Sequence, residues 1–119
     1  MLCLDTYALV EIWKANPDFL PLQNQAFIIP DLTMAEFYIF LYKKDSEESA
    51  KEWESKLSDY CKPVSREILI KSLKYRIDNK KENLSIFDCV GYLFALENNL
   101  KFVTGDRAFR NKEGILFIK

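Results

Sequence analysis

The sequence contains no histidine, and it has only three cysteines, three glycines and four prolines among 119 residues. Without histidine, the usual general base and most catalytic triads are excluded. The cysteines, Cys3, Cys61 and Cys89, are odd in number and lie far apart, so they do not match a zinc site. They predict reduced thiols in a cytoplasmic protein.

Long apolar runs are also missing. No stretch is long enough to span a bilayer, and the N-terminus lacks the basic segment and long apolar run of a signal peptide, so we expect no membrane partner. The 17 basic and 18 acidic residues give a net charge of −1. This charge argues against non-specific nucleic-acid binding through overall charge, but it does not exclude a local basic patch.

The residues that are present have the balance of a globular domain, with 49% apolar and 29% charged residues. A chain of this length can bury one ordinary core, but it is too short for a catalytic domain and a separate binding domain. We therefore predict a single domain over residues 1–119.

Short apolar segments alternate with helical patterns along the chain. Strands are predicted at residues 2–4, 26–29, 101–104 and 115–118, and five helices are predicted after Asp5 and at about 33–43, 46–57, 65–80 and 85–98. In the fourth helix, Leu69, Leu73 and Ile77 lie on one stripe. Short strands connected through helices predict an α/β fold, a three-layer α/β/α sandwich with a mainly parallel central sheet.

Four acidic residues occupy the same kind of position, where a strand gives way to a helix or a helix begins: Asp5, Glu36, Asp88 and Asp106. Helix capping is the simplest explanation for each one alone. The segments Thr33–Glu36 and Ser85–Asp88 both match the capping-box pattern, Asp5 could cap the first helix, and Asp106 could close the turn after its strand.

Capping does not explain why these acids should converge, and ligands of open parallel sheets bind beyond the carboxyl ends of the strands. Converging carboxylates repel one another and must take up protons or bind cations. Oxygen ligands without histidine or thiolate select Mg²⁺ or Mn²⁺ over zinc.

With these motifs the chain resembles the PIN domain family, and within it the small VapC-type toxin ribonucleases. The resemblance covers essentially the whole chain and is carried by Leu4-Asp5-Thr6, by the glutamate of TMAEF, by the helix that opens with Asp88, and by Thr104-Gly105-Asp106 followed by Phe109.

The resemblance implies a catalytic and metal-binding tetrad of Asp5, Glu36, Asp88 and Asp106, with Mg²⁺ or Mn²⁺ as the cofactor and endoribonuclease activity on RNA. Thr6 and Thr104 would support these acids with hydrogen bonds. Relatives of the toxin type form homodimers and are covered by an antitoxin peptide that lies over a hydrophobic groove, so a homodimer and a cognate antitoxin are expected.

Basic residues near the acids suggest where RNA could be contacted. Arg107 and Arg110 flank Asp106 and are candidates for touching a phosphate, although they could equally be solubility residues of a loop. The segment 62–82 carries seven basic and three acidic residues, and a solvated helix face is about as good an explanation for it as a phosphate-binding surface.

Three other functions compete with the toxin ribonuclease. The protein could be a PIN nuclease with a housekeeping role in RNA processing, or a non-catalytic PIN-like module that binds RNA or protein. A phospho-acceptor signalling domain is disfavoured, because Asp5 is followed by Thr6 rather than by a second acid, and no strand in the middle of the chain ends in aspartate.

Overall fold

The computed structural model describes all residues, 1–119. Its strands are β1 (Leu2–Leu4), β2 (Phe27–Pro30), β3 (Cys61–Lys62), β4 (Lys101–Thr104) and β5 (Ile115–Phe117). Its helices are α1 (Thr6–Trp13), α2 (Asp31–Lys44), α3 (Glu47–Leu57), α4 (Arg66–Asp78) and α5 (Ile86–Glu97). Short 3₁₀ turns lie at Leu20–Asn24, Ser58–Tyr60, Lys80–Glu82 and Arg107–Phe109.

The five strands form one sheet in the order β3-β2-β1-β4-β5, and every neighbouring pair is parallel. In the register, Cys3 of β1 lies opposite Ile28 on one side and Phe102 on the other. The predicted mainly parallel sheet is therefore confirmed. The edge strand β3 was not predicted, because its two residues are too few to show an alternating pattern.

Both faces of the sheet are covered. Leu2 and Leu4 of β1 join a core formed with α1, α2 and α3, whereas Cys3 joins a second core formed with α4 and α5. Alternate residues of one strand point to opposite faces, so a fully buried strand such as β1 must be apolar on both. The predicted three-layer α/β/α arrangement is confirmed. None of the helices has the combination of length and apolar character needed to cross a membrane.

Helix α2 begins two residues earlier than predicted, at Asp31 directly after Pro30. Pro30 ends β2 in an extended conformation, with ψ of 143°, and has no side chain that can cap the helix. Thr33 therefore lies within the first turn and does not cap the helix, and Glu36 lies in the second turn rather than the first. The predicted capping box of Thr33 and Glu36 is wrong.

The apolar stripe of α4 does not face the core. The core side of this helix is formed by Ile68 and Ser72, and the Ser72 hydroxyl donates to the Ile68 carbonyl oxygen at 2.6 Å. The stripe of Leu69, Leu73 and Ile77 is 37%, 50% and 66% exposed. The stripe therefore faces solvent.

The loop between β4 and β5 is held against α4 and the turn that follows it. Lys112 donates from Nζ to Glu82 Oε2 and to the Tyr75 hydroxyl, both at 2.7 Å. At the other side of the same helical layer, Tyr92 donates its hydroxyl to the Glu113 carbonyl oxygen at 2.9 Å. These bonds fix the end of the connection that leads into β5, whereas Asp106 lies at its start, directly after β4.

Candidate functional site

Asp5 is the most deeply buried of the four predicted acids. It follows β1 and caps α1, because its Oδ1 accepts a hydrogen bond from the Ala8 N–H at 2.8 Å. The pKa of Asp5 is raised to about 7: burial raises it most, hydrogen bonds from Thr104 and Ala8 lower it, and the negative charges of Asp88 and Asp106 raise it. The environment therefore disfavours the ionised carboxylate at this position.

Thr104 connects two of the acids. It is fully buried at the end of β4, and its Oγ1 accepts a hydrogen bond from the Asp106 N–H at 3.0 Å. Its side chain also forms the hydrogen bond that lowers the pKa of Asp5. The end of β4 thus fixes Asp106 relative to Asp5.

Glu36 is held by a partner from another helix. The Thr6 hydroxyl of α1 donates a hydrogen bond to Glu36 Oε1 of α2. Burial raises the pKa of Glu36, the hydrogen bond from Thr6 lowers it, and the charge of Asp88 raises it. Because Glu36 caps no helix, end-capping does not account for its position.

Asp88 and Asp106 do act as caps. The Asp88 N–H donates to Ser85 Oγ at 3.1 Å and Asp88 Oδ2 accepts from the Ser85 N–H at 3.0 Å, which completes a capping box at the start of α5. Asp106 Oδ1 accepts from the Ala108 N–H at 3.0 Å. The capping explanation thus holds for Asp5, Asp88 and Asp106, but these bonds leave the second oxygen of Asp88 and of Asp106 free.

The four acids also interact through charge. Asp88 and Asp106 both act on Asp5, and Asp88 acts on Glu36 as well. Each of the four salt bridges in the structure lies elsewhere, so no basic side chain is paired with any of these carboxylates. The structure therefore brings the four predicted acids into one region of uncompensated negative charge.

The donor atoms of this region suit a hard divalent cation, because they are carboxylate and hydroxyl oxygens. Burial raises the pKa of the Cys3 and Cys89 thiols, which disfavours the thiolate form that binds metal. As the side chains stand, no three acids come close enough together to form a ready-made metal-binding group. The chemistry of the donors fits such an ion, but their cap-bonded rotamers do not form a closed ligand shell.

The two arginines beside Asp106 are both exposed. The Arg110 guanidinium lies 5.8 Å from the centre of the Phe117 ring, so it has a contact of its own within the chain. Arg107 forms no salt bridge. The structure thus leaves Arg107 as the freer of the two candidates for contacting a phosphate.

Gly105 is required by its neighbours rather than by its conformation. A Cβ atom at this position would lie 2.7 Å from the Ile118 carbonyl oxygen and 2.7 Å from Cζ of Tyr7. The Tyr7 ring, from the first turn of α1, therefore rests against the backbone that connects Thr104 to Asp106. This contact was not predicted, since nothing in the sequence pattern pairs the two segments.

Some residues next to the acids were missed by the sequence analysis. A groove beside Glu36 is lined by Phe40, Lys43 and Lys44 of α2 and by Phe87 of α5. Basic residues are common in the last turn of a helix, and phenylalanines are usually core residues, so neither pair stood out in the sequence. The position of Phe87 directly before Asp88 was the one signal that could have placed it at the site.

The protein is an α/β domain with a wholly parallel five-stranded sheet between two helical layers. An acidic region lies where β1 and β4 give way to the following turns. The family profile described as "PIN domain" matches residues 2–115. The chain belongs to the PIN domain family. A search of curated proteins by sequence finds no match.

Solved structures resemble this fold over nearly their full length. VapC20 of Mycobacterium tuberculosis, a sarcin-ricin loop cleaving toxin, has a TM-score of 0.86 at 9% identity and covers 100% of both chains. A toxin–antitoxin complex from Klebsiella pneumoniae has a TM-score of 0.76 at 18% identity, covering 98% of this chain and 96% of that chain. A DNA-bound VapBC from Salmonella typhimurium has a TM-score of 0.75 at 20% identity, covering 98% and 97%. At such identities, the similarity establishes the fold.

Proposed function

We propose that this protein is a metal-dependent endoribonuclease and acts as the toxin of a toxin–antitoxin pair. The observation that carries the proposal is the shared negative region of Asp5, Glu36, Asp88 and Asp106, which no basic side chain compensates. Membership of the PIN domain family and the VapC fold neighbours support a nuclease of this kind.

In this proposal Asp5, Glu36, Asp88 and Asp106 hold Mg²⁺ or Mn²⁺. When bound, such an ion activates water and neutralises the charge that develops on a phosphodiester. Thr104 keeps Asp5 and Asp106 in a fixed relation, and Thr6 holds Glu36. No side-chain nucleophile is required, which is consistent with a chain that lacks histidine.

The partners belong to the same proposal. Structural neighbours include a toxin–antitoxin complex and a VapBC assembly, which support a cognate antitoxin for this chain. We further propose that residues 1–119 work as one domain, that the protein forms a homodimer, that it acts in the cytoplasm, and that Arg107, with Arg110 in a weaker role, contacts the RNA backbone.

The test is cleavage of a purified tRNA and an mRNA in Mg²⁺, in Mn²⁺ and in EDTA. We expect cleavage by the wild type with either metal, none in EDTA, and a loss of at least about a hundredfold in Asp88→Asn, because asparagine still caps α5 but lacks the charge. The matched control is Asp18→Asn, an exposed acid whose carboxylate forms no hydrogen bond or salt bridge; it should cleave as the wild type does.

Two outcomes would redirect the proposal. If the wild type cleaves no RNA in either metal, or if Asp88→Asn cleaves as well as Asp18→Asn, the domain is a non-catalytic module that binds RNA or protein. If cleavage is confirmed but no small antitoxin gene lies immediately upstream, a housekeeping nuclease becomes the better assignment.

A further inference from the structure

The first turn of α1 contacts the segments of two proposed metal ligands through consecutive side chains. The Thr6 hydroxyl donates to Glu36 Oε1, whereas the Tyr7 ring lies against Gly105, the residue directly before Asp106. Thr6 thus acts on the acid itself, and Tyr7 acts on the backbone that carries the acid. The two contacts relate Glu36 and Asp106 to the same helix.

The contact between Tyr7 and Gly105 is close enough to exclude any other residue than glycine. A Cβ atom at position 105 would lie 2.7 Å from Tyr7 Cζ and 2.7 Å from the Ile118 carbonyl oxygen, and real Cβ atoms do not come so near. Gly105 does not have a positive φ, so the glycine is needed for space. The Tyr7 ring and the Ile118 backbone therefore both confine the turn that leads to Asp106.

The Tyr7 ring is held in place although much of it faces solvent. Its ring centre lies 6.0 Å from that of Phe19, which is fully buried. Tyr7 itself is 41% exposed. Since the hydrophobic gain scales with the area removed from water, this ring contributes less to the core than a buried aromatic. The contact with Gly105 gives the residue a second role.

The other restraints on Asp106 come from its own segment. Its N–H donates to Thr104 Oγ1 and its Oδ1 accepts from the Ala108 N–H, both at 3.0 Å. Thr104 belongs to β4 and so anchors one end of the turn to the sheet. A turn with one anchor can pivot about it, whereas the contact with Tyr7 supplies a second anchor from α1.

We propose that Tyr7 is a positioning residue of the metal site, whose ring fixes the turn of residues 104–106 so that Asp106 meets a divalent cation shared with Asp5. The inference rests on the proposed function and identifies a residue outside the ligand set that determines the affinity for the metal. Partners that orient metal ligands typically contribute about 10–100-fold to metal affinity or activity.

The first experiment measures Mn²⁺ binding without RNA, from the electron paramagnetic resonance signal of the free ion at pH 7.5. In Tyr7→Ala we expect the dissociation constant to rise about tenfold or more, because Asp106 loses its second anchor. Tyr7→Phe keeps the ring and should bind Mn²⁺ as the wild type does. Melting in EDTA shows that each variant is folded. Should Tyr7→Ala not fold, Tyr7→Leu, which is apolar but lacks the planar ring, should show the same loss.

The matched control is Tyr60→Ala. Tyr60 is also 41% exposed, and its ring stacks on that of Phe27 with ring centres 4.4 Å apart. Tyr60 directly precedes β3 and Phe27 begins β2, so this pair lies towards the amino ends of the strands, away from the acids. The control should keep the wild-type affinity for Mn²⁺. A Tyr7→Ala variant that binds Mn²⁺ as tightly as Tyr60→Ala would overturn the inference.

The second experiment separates positioning from contact with the substrate. RNA cleavage is measured over a range of Mn²⁺ and RNA concentrations. In Tyr7→Ala the Mn²⁺ concentration for half-maximal rate should rise by the same factor as the dissociation constant, while KM for RNA at saturating Mn²⁺ stays unchanged. Tyr7→Phe should restore both values. A raised KM with an unchanged Mn²⁺ requirement would overturn the positioning role and make the ring a substrate contact.

The inference and the proposed function can fail separately. Metal-dependent cleavage by the wild type, together with unchanged Mn²⁺ affinity in Tyr7→Ala, would overturn the role of Tyr7 alone. Mn²⁺ binding that depends on the Tyr7 ring, in a protein that cleaves no RNA, would overturn the nuclease but keep the positioning residue. A wild type that binds no Mn²⁺ would overturn both.

Discussion

Asp5 shows how one residue serves both the fold and the proposed chemistry. Its Oδ1 caps α1, yet the residue is only 6% exposed and its carboxyl is subject to the charges of Asp88 and Asp106. A cap alone would function at the surface, where the ionised form is easily solvated. Burial of this acid among others destabilises the charged form, and a bound cation would offset that effect.

This burial predicts a pH dependence of stability. The pKa of Asp5 rises from its ordinary value of 3.8 to about 7 on folding, so the folded state binds the proton more tightly. The stabilisation due to this group is fully present below about pH 4 and is lost as the pH rises to about 7, by roughly 4 kcal/mol. Urea unfolding in EDTA from pH 4 to pH 8 should show it.

The comparison for this prediction is Asp5→Asn, which keeps the hydrogen-bond acceptor but does not titrate. Because other carboxyl groups also titrate, the relevant quantity is the difference in unfolding free energy between wild type and variant at each pH. That difference should move in favour of the variant as the pH rises. A difference that stays constant would mean that Asp5 is not perturbed.

Among the elements, α4 shows the limit of periodicity. Its sequence has an apolar stripe of Leu69, Leu73 and Ile77, but the helix packs through Ile68 and Ser72. Ser72 is tolerated in the core because its hydroxyl donates to the Ile68 carbonyl oxygen within the helix. The exposed stripe then remains as an apolar surface of the isolated chain.

The orientation of α4 predicts unequal effects of two similar truncations. Ile68→Ala should cost about 2–5 kcal/mol of unfolding free energy because it removes a buried side chain. Leu73→Ala should change stability by about 0.5 kcal/mol or less, since Leu73 is 50% exposed. Urea unfolding of both variants at low protein concentration gives the comparison. Equal losses would contradict this orientation, and a loss at Leu73 that grows with protein concentration would show that the stripe is buried in an assembly.

For the whole molecule, the parallel topology is what brings distant segments together. Asp5 and Asp106 follow neighbouring strands of the sheet, and Glu36 and Asp88 lie on helices from opposite layers. Asp88 acts through its charge on both Asp5 and Glu36, and Asp106 acts on Asp5, although the residues span about a hundred positions. A shared ligand for these carboxylates would connect both helical layers across the edge of the sheet.

Metal binding should therefore stabilise the whole fold. At pH 7.5, Mg²⁺ at a hundredfold excess over its dissociation constant should raise the melting temperature by about 10 °C, because only the folded chain assembles the acids. Thermal unfolding in MgCl₂ and in NaCl of equal ionic strength separates this effect from screening. The shift should be much smaller in Asp88→Asn, and an equal shift in both proteins would indicate a non-specific effect of the ion.

The sequence by itself determined the class of fold and the candidate acids. Local sequence is enough to identify buried strands such as residues 2–4. It also identifies the serines that cap helices, here Ser46, Ser65 and Ser85. The start of α2 was misplaced because Pro30 belongs to both strand and turn, and β3 was missed because two residues carry no pattern. The resemblance to the PIN domain family could also be recognised from the sequence, because its motifs are short and occur in the expected order along the chain.

Only the tertiary structure decided which faces and partners these elements use. The pairing of Thr6 with Glu36, the contact of Tyr7 with Gly105 and the exposure of the α4 stripe all depend on how separate segments pack. The same holds for the groove that runs from Glu36 to Lys44. Local sequence sets conformational preference, whereas burial and long-range contacts arise from the sum of many packing interactions that no single segment encodes.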